Sequence, residues 1–262
     1  MLFETSRHRR AREVLERGFL PAWRDVVDER VPHLGLLDVD ERARLEDRAL
    51  RLVAGKRWEP ANGFELTDDI VVTIAAQAAM IALELADDAY RNVGSILVHP
   101  TTVVLTGARS VAPGLATDQP MEILGQANLD GPVLIVWDAA LAAARHPERG
   151  HNVVFHEFAH KLDMLGGNAD GTPPMATQEE LDHWVQVCTE VYGRISHGVD
   201  DGVLRSYAGV NPAEFFAVAT EVFFDVPLAL RDREPALYEV LRDFYRQDPA
   251  ARVERVGGPP HR

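Results

Sequence analysis

The stretch His156-Glu157-Phe158-Ala159-His160 limits what this chain can fold into more than any other. Val153, Val154, Phe155, Phe158, Ala159 and Leu162 recur around it at helical spacing, which predicts a helix with an apolar side. On a helix, positions i and i+4 share a face, and two imidazoles so placed can grip one metal ion. Glu157 follows the first histidine and can reach a water on the open side of that ion. Neutral imidazole suits Zn2+ at about 2.0–2.1 Å, and a catalytic zinc keeps one position for water or substrate. The competing reading is a structural helix with coincidental histidines. It leaves polar side chains on a mostly buried helix without partners, which is costly. The metal reading is preferred, and its chemistry is that of peptide-bond hydrolysis.

Composition narrows the class. At 262 residues the chain can bury a core as one large domain or two small ones. A hydrophobic content of 46% with 26% charged residues is ordinary for a soluble enzyme. The formal charge of −14 argues against a phosphate-binding face, so no nucleic-acid partner is expected. Cys188 is the one cysteine, which excludes an internal disulfide and a cysteine-rich zinc site; a small buried hydrophobe is its expected role. Residues 1–12 carry charges throughout and lack the apolar core of a signal peptide. The longest apolar run, residues 70–86, contains Thr73, Gln77 and Glu84 and is too short for a membrane span. A cytoplasmic location with no membrane partner is the expectation.

Three segments are expected. Residues 1–60 read as an N-terminal helical segment packed on the core. It holds one amphipathic helix over 4–30, with Val14, Leu15, Phe19, Leu20, Trp23 and Val26 as its stripe, and a second over Asp40 to Val53. Residues 61–247 read as the catalytic domain. Thr67 or Asp68 caps a long alanine-rich helix to about Tyr90, apolar around most of its circumference and so central to the core. Then the period changes: Ile96–His99, Val103–Leu105 and Val133–Trp137 read as strands, with turn chemistry at 128–132. The last of these strands can offer free backbone groups to an extended peptide if it borders the cleft, although its lack of alternation suits an interior strand equally. Asp138 caps a short helix ending near Arg145, and Asn152 caps the motif helix. Residues 248–262, with Gly257-Gly258-Pro259-Pro260, read as a mobile tail.

Two histidines are not enough, because catalytic zinc takes three protein ligands. A histidine six residues past the motif is absent, since Leu165, Gly166 and Gly167 occupy that region. Asp163 lies one turn beyond His160, too close on the same helix to complete a tetrahedron. It is left to hydrogen-bond a ligating histidine, or to serve as an exposed or capping residue. Asn211 reads as an N-cap and Pro212 as the first residue of a helix to about Asp225. On it, Glu214 and Glu221 are seven apart on one face, with Ala217 between them small enough for close helix approach. Spacing does not choose between them: Glu214 also stands at capping-box distance from Asn211. His151 reads as a helix-entry residue, and His99, His146, His183 and His197 have no ligand-like spacing.

The run His156 to Met164, followed by Gly171-Thr172-Pro173-Pro174 and Asn211-Pro212-Ala213-Glu214-Phe215-Phe216, resembles the Mlc titration factor A family. The likeness extends over about Trp58 to Pro227. Members of that family are zinc-dependent peptidases whose catalytic core is similar to that of anthrax lethal factor. The resemblance implies a zincin-like α/β (α+β) fold, with a small mixed sheet surrounded by helices, and one Zn2+ per chain. It makes Glu214 the third ligand beside His156 and His160, and it turns Tyr207 toward the metal. A phenol there can donate a hydrogen bond to an oxyanion; without the resemblance, a half-buried loop tyrosine bonding a backbone group is the simpler reading. Glu221 is then expected to orient a ligating histidine. The expected activity is zinc-dependent hydrolysis of a peptide or protein substrate, aminopeptidase-like action included, with Glu157 as general base. The resemblance also implies a different role: a cytoplasmic protein that sequesters a transcriptional repressor, with or without peptidase activity. Glu157 favours the enzyme, because a pure binding module has no need of a base beside a metal.

Overall fold

The computed structural model describes residues 6–61, 63–101, 131–199 and 202–257. The chain opens with α1 (Ser6–Arg17), α2 (Pro21–Arg30) and α3 (Val39–Gly55), then β1 (Arg57–Pro60) and α4 (Asp68–Ile81). β2 (Ser95–His99), β3 (Val133–Val136), α5 (Trp137–Arg145) and α6 (Val153–Asp163) follow. The C-terminal half adds α7 (Gln178–Ser196), α8 (Pro212–Asp225), α9 (Pro227–Arg233), α10 (Pro235–Tyr245) and α11 (Pro249–Val256).

α4 has no polar face: every residue from Ile70 to Ile81 is buried, as in a helix enclosed on all sides. α2, α3, α5 and α6 pack around it. It stops at Ile81 rather than near Tyr90. Residues 82–93 continue as turns, closed by Leu85 N–H to Ala82 C=O and Ala89 N–H to Ala86 C=O. Asp87 and Asp88 favour such turns over helix. Tyr90 folds back to donate to the Ala78 carbonyl at 2.9 Å.

The sheet has the order β1-β2-β3, with Trp58 opposite Ile96 and Ile96 opposite Val133. α4 forms the crossover that a parallel β1-β2 pair requires. The sheet was expected to be mixed, whereas all three described strands are parallel. The further strand expected at Val103–Leu105 lies outside the described residues, as do residues 128–130 of the expected turn. β3 is an edge of the described sheet and packs against α6. Val133 and Ile135 are buried and Leu134 and Val136 half-buried, so the strand alternates in burial where its uniformly apolar sequence does not. Trp137 opens α5, and Asp138 sits in that helix's first turn instead of at its cap.

Two expectations at the ends of the chain are corrected. The single helix over 4–30 is two, because Gly18 takes a left-handed φ of +69° and Pro21 starts α2 afresh. Residues 249–256, expected within a mobile tail, form α11. Asp248 caps it by accepting from Ala251 N–H, and the buried Arg252 pairs with Glu41 at 2.8 Å. The Asp-Pro start signal outweighs the Gly-Pro run that follows it. Residues 258–262 lie outside the described residues. No helix among the described residues is long and apolar enough to cross a membrane.

Candidate metal centre

Asn152 starts α6 by accepting from the N–H groups of Val154 and Phe155 at 3.1 and 3.2 Å. The helix delivers His156 and His160 to one face, their ring centroids 4.8 Å apart. α8 packs against α6, with Ala217 fully buried midway between Glu214 and Glu221. Behind α8, Phe216 and Phe223 stack on Tyr245, and Thr220 shares a 2.7 Å hydrogen bond with the same phenol. These contacts fix α8 from the side away from α6.

Three atoms converge between the two helices. His156 Nε2 lies 3.0 Å from Glu214 Oε2, His160 Nε2 lies 3.6 Å from the same oxygen, and the two Nε2 atoms are 3.2 Å apart. A tetrahedral zinc with bonds of about 2.0–2.1 Å holds its ligand atoms about 3.3 Å apart. The triangle therefore has the size of one face of such a site. Glu214 Oε2 is buried beside the two imidazole nitrogens, and among the described residues no well-formed hydrogen bond reaches it, so a cation held by the three atoms would satisfy it. Two imidazoles and a carboxylate form a donor set suited to zinc, and these three side chains form a cluster able to hold a metal ion.

Glu214 does not complete a capping box. Asp38 with Glu41 and Thr177 with Glu180 make both halves of that motif. At α8 only the Glu214 N–H to Asn211 Oδ1 bond is made, at 2.9 Å, and the carboxylate turns toward the histidines. Glu221, fully buried, receives His156 Nδ1 at 2.7 Å. With the proton on Nδ1, the lone pair of Nε2 faces the cluster.

Electrostatics describe the same centre. Burial disfavours a charged His156, but Glu214 and Glu221 on its two sides outweigh burial and push its pKa up to about 10. Burial also disfavours ionised Glu214, yet His156 and His160 hold its carboxyl well below the usual range. Both shifts mark a place that favours positive charge, whether a proton or a metal ion. Glu157 is partly buried; burial raises its pKa, with the two histidines opposing. Tyr207 sits in a 3-10 turn over Ser206–Gly209, its ring centroid 6.2 Å from that of His156. Burial, and then the Glu214 carboxylate, push its pKa up to about 12, so the phenol keeps its proton and can donate.

Asp163 differs from expectation. Its carboxylate, fully buried, accepts from Gly171 N–H at 2.8 Å and Thr172 N–H at 2.9 Å, clamping the loop after α6 instead of bonding a histidine. His151 is exposed at the entry to α6, with Nε2 4.0 Å from Glu221 Oε2. Two residues were given no part in the site from the sequence. Gln77 accepts from Asn152 Nδ2 at 3.1 Å, and its signal was an amide inside an otherwise apolar helix. Arg205 donates to both oxygens of Glu221, at 2.6 and 3.1 Å, and its one signal was its place two residues before Tyr207.

The family model of glucose-regulated metallo-peptidase M90 matches residues 5–246. The chain is 32% identical over 243 residues to the Mlc titration factor A of Yersinia pestis (strain Pestoides F), across 90% of this chain and 88% of that protein. The Mlc titration factor A of Yersinia pseudotuberculosis serotype O:1b matches to the same extent. An uncharacterized protein of Synechocystis sp. is 30% identical over 244 residues, across 92% of this chain and 89% of the relative.

Proposed function

The chain belongs to the glucose-regulated metallo-peptidase M90 family, and from that membership we propose a single-zinc peptidase acting on peptide or protein substrates in the cytoplasm. His156, His160 and Glu214 hold the ion. The observation that carries this reading is the triangle of two Nε2 atoms and one buried carboxylate oxygen. When bound, zinc lowers the pKa of a water and polarises a carbonyl. Glu157 takes the proton of the attacking water and returns it to the leaving amine nitrogen. Tyr207 donates its phenolic hydrogen to the oxygen that becomes negative in the tetrahedral state. Glu221, through Nδ1, keeps the ring of His156 from turning.

Metal analysis of the purified protein is expected to give about one zinc per chain. Glu157→Gln should keep that zinc and lose roughly 100- to 10,000-fold of turnover on a quenched-fluorescent peptide library. Cleavage near the wild-type rate by Glu157→Gln would assign proton transfer to another residue. Activity untouched by a strong chelator would sink the metal-dependent reading.

A second reading rests on the relatives' name, which makes Mlc the thing titrated. On that reading the chain also sequesters a transcriptional repressor. Glu157→Gln separates the roles, since binding should survive the loss of the base.

A further inference from the structure

Arg205 lies outside the His156–His160 motif and touches the site from behind. It precedes the turn that carries Tyr207, and its side chain, 28% exposed, reaches inward to the fully buried Glu221. Nη2 donates to Oε1 at 2.6 Å and Nη1 to Oε2 at 3.1 Å. Such a two-point contact fixes the plane of the carboxylate as well as its charge. Each oxygen has a second duty: Oε1 takes His156 Nδ1 at 2.7 Å, and Oε2 takes the Asn152 N–H at 2.7 Å. The plane that Arg205 sets is thus passed to the ring of His156 and to the cap of α6. The same guanidinium carbon lies 5.9 Å from the centroid of the Tyr207 ring, within cation–π range. One side chain therefore touches both the support of a metal-facing imidazole and the ring that carries the phenol.

Charge neutralisation alone would not need this geometry. A lysine can balance a buried carboxylate, but its ammonium is a point charge that neither spans two oxygens in plane nor stacks on an aromatic face. We propose that Arg205 is a positioning residue that couples Tyr207 to His156 through Glu221, holding the phenol and the imidazole in one fixed relation. This rests on the metal-dependent peptidase reading above.

The test uses the full chain as wild type, Arg205→Lys, Tyr207→Phe and the double variant. Co2+ is loaded and its visible spectrum recorded as a reporter of ligand geometry. Zinc affinity is read by competition with a chromogenic chelator, and kcat on a library peptide that the wild type cleaves. Arg205→Lys is expected to change the Co2+ spectrum and to lose about 10- to 100-fold in zinc affinity or kcat. Its effect on kcat should shrink in the Tyr207→Phe background, because the two residues then act on one contact. A wild-type spectrum, affinity and kcat in Arg205→Lys would overturn the proposal and leave charge balance as the whole role. Multiplicative effects in the double variant would overturn the coupling. If Arg205→Lys does not fold, Arg205→Ala with added guanidinium or methylammonium replaces it: rescue by guanidinium alone supports the proposal, and equal rescue by both cations overturns it. A wild-type chain that takes up neither Co2+ nor Zn2+ would instead overturn the underlying metal reading, and this proposal with it.

Discussion

Two buried histidine–carboxylate pairs meet one helix a single turn apart, and only one of them belongs to the candidate site. On α8, Glu221 Oε1 lies 2.7 Å from His156 Nδ1, and Asp225 Oδ1 lies 2.9 Å from His33 Nε2. By distance and burial they are near twins. They differ in what their remaining atoms do. Both Glu221 oxygens are taken up by Arg205, the Asn152 N–H and His156, and the second nitrogen of His156 faces Glu214 and His160. Among the described residues, His33 Nδ1 and Asp225 Oδ2 are buried with no hydrogen-bond partner. A buried imidazole on a carboxylate is thus weak grounds for a metal site. The informative feature is a second lone pair converging with other ligand atoms.

The largest expected effect tests that distinction directly. Glu214→Ala removes an atom from the triangle and should cost more zinc affinity than the roughly 10- to 100-fold expected for Glu221→Ala, which removes an outer partner. His33→Ala should leave zinc affinity unchanged and lower stability by about 1–3 kcal/mol, through the unpaired Asp225 it leaves behind. Equilibrium dialysis and thermal melts of the three variants separate these outcomes. A greater loss in Glu221→Ala than in Glu214→Ala would reverse the assignment and make the pair itself the defining feature.

Next in size is a contact outside both pairs that sets where Glu214 stands. Gly171, at φ +78°, donates its N–H to Asp163 and accepts at its carbonyl from Trp184 Nε1–H, and a Cβ placed on it would collide with the Pro212 carbonyl oxygen. Pro212 is the first residue of α8, two before Glu214. Gly198 has φ +81°, and among the described residues nothing lies within 4 Å of a Cβ placed there. Alanine at either site incurs the left-handed backbone cost of about 1–2 kcal/mol. Only Gly171→Ala should also move the start of α8 and weaken zinc binding. Equal zinc affinity in the two variants would show that α8 holds its position without this contact.

What the sequence made legible was local. Asn152 and Asn211 announced the starts of α6 and α8, Pro212 fixed the first turn, and the apolar period carried α8 to Asp225. The failures were also local: Gly18 broke a helix that the apolar stripe ran straight through, and Asp248-Pro249 started one inside an expected tail. The choice between Glu214 and Glu221 was of another kind. Both project from one face at a seven-residue spacing, and only the docking of α8 on α6 puts one carboxylate on the Nε2 side of His156 and the other on its Nδ1 side. Arg205 was hidden for the same reason, since its partner is defined by packing. Asp163 was misjudged because its two partners, Gly171 and Thr172, lie in a loop whose path no period encodes.

The smallest expected effect concerns the pair outside the site. Burial pushes the Asp225 carboxyl up from 3.8 to about 6, outweighing the contact with His33, whereas His156 and Arg205 overcome burial and hold Glu221 below its usual range. The two carboxylates should therefore act on stability with opposite sign. For Asp225 the native state keeps its proton to higher pH than the unfolded chain does. Between about pH 4 and 6 the unfolded chain binds fewer protons at this site, so stability falls as pH rises through that window and stays reduced above it. Asp225→Asn has no proton to lose. The stability of the variant relative to wild type should rise from pH 4 to 6 and then level off, by no more than about 2 kcal/mol. Denaturant melts at several pH values would measure this. A difference that does not vary with pH would mean that Asp225 is ionised throughout in the native state and as well compensated as Glu221, and the contrast between the two pairs would then rest on geometry alone.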